Sequence, residues 1–143
     1  MFRDREAQFS GAQAVTAAAA STDYLNLGAI RNLGVGTPIY LVVTCDVAMT
    51  DSGSDSTLAV ILETDDNASF SSATLAQTVG TFPATSAIGT RLVVALQIDK
   101  INEKFLRVYY TPANGNLSAG SFTAFLTPNI DAYTNYADAI TIS

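Results

Sequence analysis

The chain has 143 residues, 48% of them hydrophobic and only 14% charged, with a formal net charge of −6. That length suits one domain able to bury its own core, and the composition excludes a disordered chain, which needs low hydrophobicity and high net charge. A pI of about 4.2 means repulsion from phosphate, which disfavours nucleic acid and anionic membranes as partners.

Residues 1–10, "MFRDREAQFS", mix charges of both signs without the apolar run of a secretory signal, so synthesis in a cytoplasm is expected. Arg3 and Arg5 lie between Phe2 and Phe9 on an otherwise acidic chain. Two readings stand for this arm. It is an interface segment with aromatic anchors, or a first strand closing a sheet edge.

Strands are predicted next at 12–16 and 24–28. Four consecutive alanines, 17–20, favour a helix, but no amphipathic stripe extends beyond them. A strand followed by a compact turn is the expectation there. The run 38–48, "PIYLVVTCDVA", is apolar on both faces, as in a strand covered on both sides or facing a partner.

Period-two alternation then dominates. Leu58, Val60 and Leu62 share one face of 57–64, and another strand is expected at 73–79. Leu92, Val94, Leu96 and Ile98 share a face of 91–98, and Leu106, Val108 and Tyr110 share one of 104–111. Phe122, Ala124 and Leu126 share a face of 121–127. Asn114-Gly115 between the last two strands reads as a hairpin turn. Tyr109 and Phe125 fall on the more polar faces of their strands. They are exposed interaction residues, or they sit under a covering loop or tail. The segment 128–143 carries Tyr133 and Tyr136 and is expected to dock on the domain or on a neighbour. The whole reads as an all-β, single-domain antiparallel β-sandwich of about eight strands over 1–127, followed by that tail.

Reactive chemistry is sparse. Cys45 is the one cysteine, set in an apolar strand, and the chain has no histidine to activate it. Asp65, Asp66 and Asn67, and Asp51 with Asp55, lack the spacing of a calcium loop and read as solvated turns. Acids are available for a hydrolytic pair, at Asp46, Glu63, Asp65, Asp66, Asp99 and Glu103, but the chain has no tryptophan platform for a sugar. Residues 33–38, "LGVGTP", fail the dinucleotide pattern. No catalytic residue, cofactor or metal site is expected.

Several stretches carry a family resemblance. They are "FSGAQAVT" at 9–16, "GVGTPIYLVV" at 34–43, Asp65-Asp66 with Ala68, Phe70, Ser71 and Ser72, "KFLRVYYT" at 104–111, and "AGSFTAFL" at 119–126. In this order and spacing the chain resembles the Bbp16-type capsid cement proteins of tailed bacteriophages. The resemblance implies a jelly roll that binds the outside of an icosahedral shell as a homodimer, bridging capsomers of the major capsid protein. The expected location is then the outer surface of a virion. Candidate interface residues are Phe2, Arg3, Arg5, Phe9, Tyr109, Phe125, Tyr133 and Tyr136. A carbohydrate- or receptor-binding sandwich and a tail or baseplate component are the alternatives.

Deleting residues 1–6 separates the two readings of the arm. An interface arm leaves the melting temperature unchanged and abolishes shell binding, whereas a structural arm lowers the melting temperature.

Overall fold

The computed structural model describes residues 7–27, 39–97 and 100–127. They form β1 (Gln8–Ala14), β2 (Ala19–Ala20), β3 (Leu25–Asn26), β4 (Tyr40–Thr50), β5 (Thr57–Asp65), β6 (Thr74–Phe82), β7 (Arg91–Ala95), β8 (Phe105–Ala113) and β9 (Ala119–Thr127). No α-helix occurs among the described residues. The alanine run bends at Ala17 and Ala18, then pairs through Ala19 and Ala20 with Tyr110 and Tyr109.

All pairings are antiparallel. One sheet, here sheet A, has the order β1-β9-β4-β7. Sheet B has the order β2-β8-β5-β6, and β3 also pairs with β8. β2 and β3 thus act as two ends of one interrupted edge strand. Among strands that follow one another, only β5 and β6 pair together; every other connection between the eight strand positions crosses to the opposite sheet. Two four-position antiparallel sheets wound in this way are a jelly roll.

The alternating faces settle the packing. Leu58, Val60 and Leu62 from β5 and Leu106, Val108 and Tyr110 from β8 meet Leu41, Val43, Cys45, Phe122 and Ala124 from sheet A in one core. Phe122 lies 5.0 Å from Phe82 and 5.9 Å from Tyr110, centroid to centroid, so rings from both sheets interlock at the centre. At one side the edge strands are joined by Gln77 of β6. Its amide donates to the Ala95 carbonyl (2.8 Å) and its oxygen accepts from the Gln97 N–H (2.9 Å). This occupies polar groups at the edge of β7 that would otherwise stand open.

A polar network crosses the core beside the rings. Ser10 donates to Gln13 Oε1 at 2.8 Å. Its single proton is thereby used, so the Tyr110 hydroxyl, 2.8 Å from Ser10 Oγ, is the donor of the bond that joins the sheets. Gln13 also accepts from the Thr22 N–H and donates to the Ala20 carbonyl, each at 2.9 Å. The motif "FSGAQ" is therefore structural. Phe9 fills the core, Ser10 and Gln13 pin β1 to the following turn, and Ala12 takes a left-handed φ of 50° at the irregular register of β1.

Two sequence expectations are corrected and one open reading is resolved. The segment 104–126 is not a hairpin: β8 pairs with β5 and β9 pairs with β4, in different sheets. The left-handed pair Asn114 (φ 66°) and Gly115 (φ 114°) does turn the chain, but Leu117 and Ser118 then donate to Thr16 and Thr50 rather than to β8. Phe9 was read as an anchor of an interface arm or as part of a first strand closing a sheet edge; the anchor reading is overturned, since Phe9 is fully buried in the core from β1 at the edge of sheet A. Phe125 was read as exposed or covered; it is 4% exposed, in a small cluster with Val42 on the outer side of sheet A.

Burial pushes the Tyr110 phenol up to about 12, and the charge of Asp46 adds to it. The folded state therefore keeps the proton that the unfolded chain releases near its ordinary value of 10.0. The stabilisation is complete below pH 10 and is lost as pH rises towards 12, in total on the order of 3 kcal/mol. Tyr110→Phe should remove this part of the alkaline slope and cost about 1 kcal/mol at neutral pH. Chemical denaturation of both proteins across the window checks it.

Candidate interaction surface

β8 shows its core residues to one side and Phe105, Arg107 and Tyr109 to the other. In register, Arg107 lies opposite Glu63, Tyr109 opposite Ile61, and Phe105 opposite Asp65. The next strand outward places Leu75 beside Glu63, 57% exposed. The outer face of sheet B is thus an apolar and aromatic surface with one ion pair set into it.

Arg107 is the hub. Its Nε donates to Glu63 Oε2 at 2.8 Å, and both side chains are largely buried. Its guanidinium carbon sits 4.3 Å from the Phe70 ring centroid and 5.3 Å from that of Tyr109. A guanidinium held between two rings gains cation–π attraction that strengthens as water is excluded. Tyr24, Phe70 and Phe105 form an edge-to-face triad, with Tyr24 at 5.9 Å from Phe70 and 5.6 Å from Phe105. Tyr24 stays 47% exposed while Phe70 is buried. Lys104 lies 6.0 Å from the Phe105 ring at the margin.

Phe70 reaches this surface from the loop between β5 and β6. The Asp65 carboxylate organises that loop by accepting from the N–H of Asn67 (2.9 Å) and of Ser72 (2.8 Å). Asn67 Oδ1 accepts from the Ser69 N–H, and the Asn67 carbonyl accepts from the Phe70 N–H, both at 2.9 Å. Phe70 itself adopts φ 52°. A bulky side chain in the left-handed region costs of order 1–3 kcal/mol, so the loop must be held there by its surroundings. The expectation of a solvated turn is corrected for Asp65, which is 2% exposed, though Asp66 and Asn67 are at the surface.

The remaining candidates divide. Tyr109 is half-buried on this face, stacked on Arg107. Phe2, Arg3, Arg5, Tyr133 and Tyr136 lie outside the described residues. Cys45 is buried; burial is the main reason its thiol is pushed up, and its Sγ donates to the Val47 carbonyl at 3.1 Å, so it is not poised as a nucleophile. Asp51 Oδ2 accepts from Gly53 and Ser56, closing its own turn. Among the described residues no group of three or more His, Cys, Asp or Glu is placed to hold a metal ion. Sequence reasoning missed Tyr24, Phe70, Phe105, Arg107 and Glu63 as one surface. The alternation in "KFLRVYY" did place Phe105, Arg107 and Tyr109 together, but nothing in the sequence showed which strand lay opposite.

A double-mutant cycle on Arg107→Ala and Glu63→Ala should return a coupling of about 1 kcal/mol, above that of a fully solvated pair. Denaturation midpoints of the four proteins give the number.

The chain matches the Bbp16 family over residues 9–126. No curated protein matches it. Among solved structures it is similar to latent aurone synthase, a polyphenol oxidase. One recombinant form gives a TM-score of 0.50 at 12% identity, covering 87% of this chain and 28% of that one. The enzyme from its natural source gives 0.45 at 15% identity, covering 90% and 26%. At such identities the likeness concerns the fold, and the chain spans little more than a quarter of those enzymes. Over most of its length, including the "FSGAQ" network and the Phe70 loop, the chain belongs to the Bbp16 family.

Proposed function

We propose that this protein is a structural virion component, a capsid cement protein that binds the outer surface of a tailed-phage shell and reinforces contacts between capsomers. The family match over residues 9–126 carries the reading. The protein acts by binding, without catalysis or a cofactor. It is made in the host cytoplasm and works as a homodimer, since a two-fold position on a shell calls for a two-fold partner.

The outer face of sheet B supplies the contact with the major capsid protein. Interfaces are enriched in Tyr, Phe and Arg at their centre and place polar groups at the rim. Tyr24, Phe105, Arg107 and Tyr109 supply that centre, with Leu75 beside it and Lys104 and Asp66 around it. Glu63 neutralises Arg107 in advance, so docking need not bury an unpaired charge. Many copies bound to one lattice act together, so each contact can be weak while the shell is held strongly.

Purified protein mixed with shells that lack it should co-sediment to a fixed stoichiometry and raise the temperature at which the shells open. Tyr24→Ala should weaken that binding about tenfold or more while leaving the fold intact. Failure of the intact protein to sediment with such shells contradicts the reading.

A further inference from the structure

We infer that Asp65 is a latch that assembles the aromatic–arginine face: its carboxylate folds residues 66–72 so that Phe70 is held against the Arg107 guanidinium. Both carboxylate oxygens are engaged, Oδ1 by the Asn67 N–H and Oδ2 by the Ser72 N–H. These bonds close the two ends of the loop, and between them Phe70 is kept in a left-handed conformation that its side chain disfavours. Contacts that reward this conformation lie on the outer face. They are the ring edges of Tyr24 and Phe105 and the guanidinium 4.3 Å away. Asp65 bonds to Asn67 and Ser72 and acts on the face through the loop, as a positioning residue.

The latch depends on ionisation. Burial works to raise the Asp65 carboxyl, but hydrogen bonds from the N–H groups of Ser72, Asn67 and Asp66 and from the Ser72 hydroxyl outweigh it and hold the group below its ordinary value of 3.8. The neighbouring titratable and charged groups are Asp66 in the loop, Glu63 on β5, Glu103 and Lys104 before β8, Arg107 and Tyr109 on β8, and Asp23 and Tyr24 before β3. Glu63 is paired with Arg107, and Glu103 accepts from Thr64 at 2.8 Å. Because the folded carboxyl is depressed, the latch is fully closed above the unfolded value. It opens as pH falls through the lower folded one.

The inference rests on the proposed shell contact only for its use; the latch itself is read directly. The Phe70 ring should displace the NMR resonance of the Arg107 Nε–H. Asp65→Ala should remove that displacement as completely as Phe70→Leu does, with the core amide resonances unmoved. An Asp65→Ala protein that keeps the displacement overturns the latch. Should Asp65→Ala not fold, acid titration of the unaltered protein decides: the displacement should collapse below pH 3.8 before the core resonances are lost, and persistence up to global unfolding overturns the latch. Shell sedimentation separates the two ideas. Loss of the displacement with an about tenfold loss of binding upholds both. Loss of the displacement with full binding upholds the latch and places the shell contact elsewhere.

Discussion

The hydrogen bond from Tyr110 to Ser10 fixes how the two sheets of this protein meet. A phenol buried in a core must find a partner, because leaving it unsatisfied costs more than the bond itself contributes. Tyr110 stands on β8 at the centre of sheet B, and Ser10 stands on β1 at the edge of sheet A. Their bond sets the spacing of the sheets beside the Tyr110–Phe122 stack. Ser10 is the acceptor of this bond because its own proton goes to Gln13, and Gln13 is held in turn by Thr22 and Ala20. The turn after β1, the short pairing of Ala19 and Ala20, and the sheet-to-sheet distance therefore rest on one network. A fully satisfied buried network of this kind specifies one arrangement and resists opening.

β8 links that interior to the surface. Its inward residues hold the core and its outward ones hold the candidate interaction face, so the face inherits the rigidity of a central strand rather than the mobility of a loop. Rigid aromatic side chains lose little freedom when they meet a partner. Phe70, carried on the loop between β5 and β6, has a dedicated device to hold it.

Much of the fold was legible in the sequence because half-buried antiparallel strands alternate with period two. Leu58, Val60 and Leu62, and Leu106, Val108 and Tyr110, face the core as their spacing required. The pairing of strands was not legible. Asn114-Gly115 is equally suited to a turn within a sheet and to a crossing between sheets, and only the longer ladders to β4 and β5 decide between them. Phe9 looked like part of a charged arm because Arg3 and Arg5 precede it, but β1 begins at Gln8 and turns it inward. Asp65 looked like a turn residue among turn residues. Its burial follows from its place at the end of β5 opposite Phe105, a register the sequence does not state.

In the proposed function, a rigid sandwich presents one outer sheet face to a shell. Electron cryomicroscopy of shells carrying the protein tests this most directly. The expected result is jelly-roll density on the outer capsid surface, in two-fold pairs, with Tyr24, Phe105, Arg107 and Tyr109 of sheet B against the capsid protein. Density in which that face of sheet B points to solvent, or shells on which the protein has no ordered position, would contradict it.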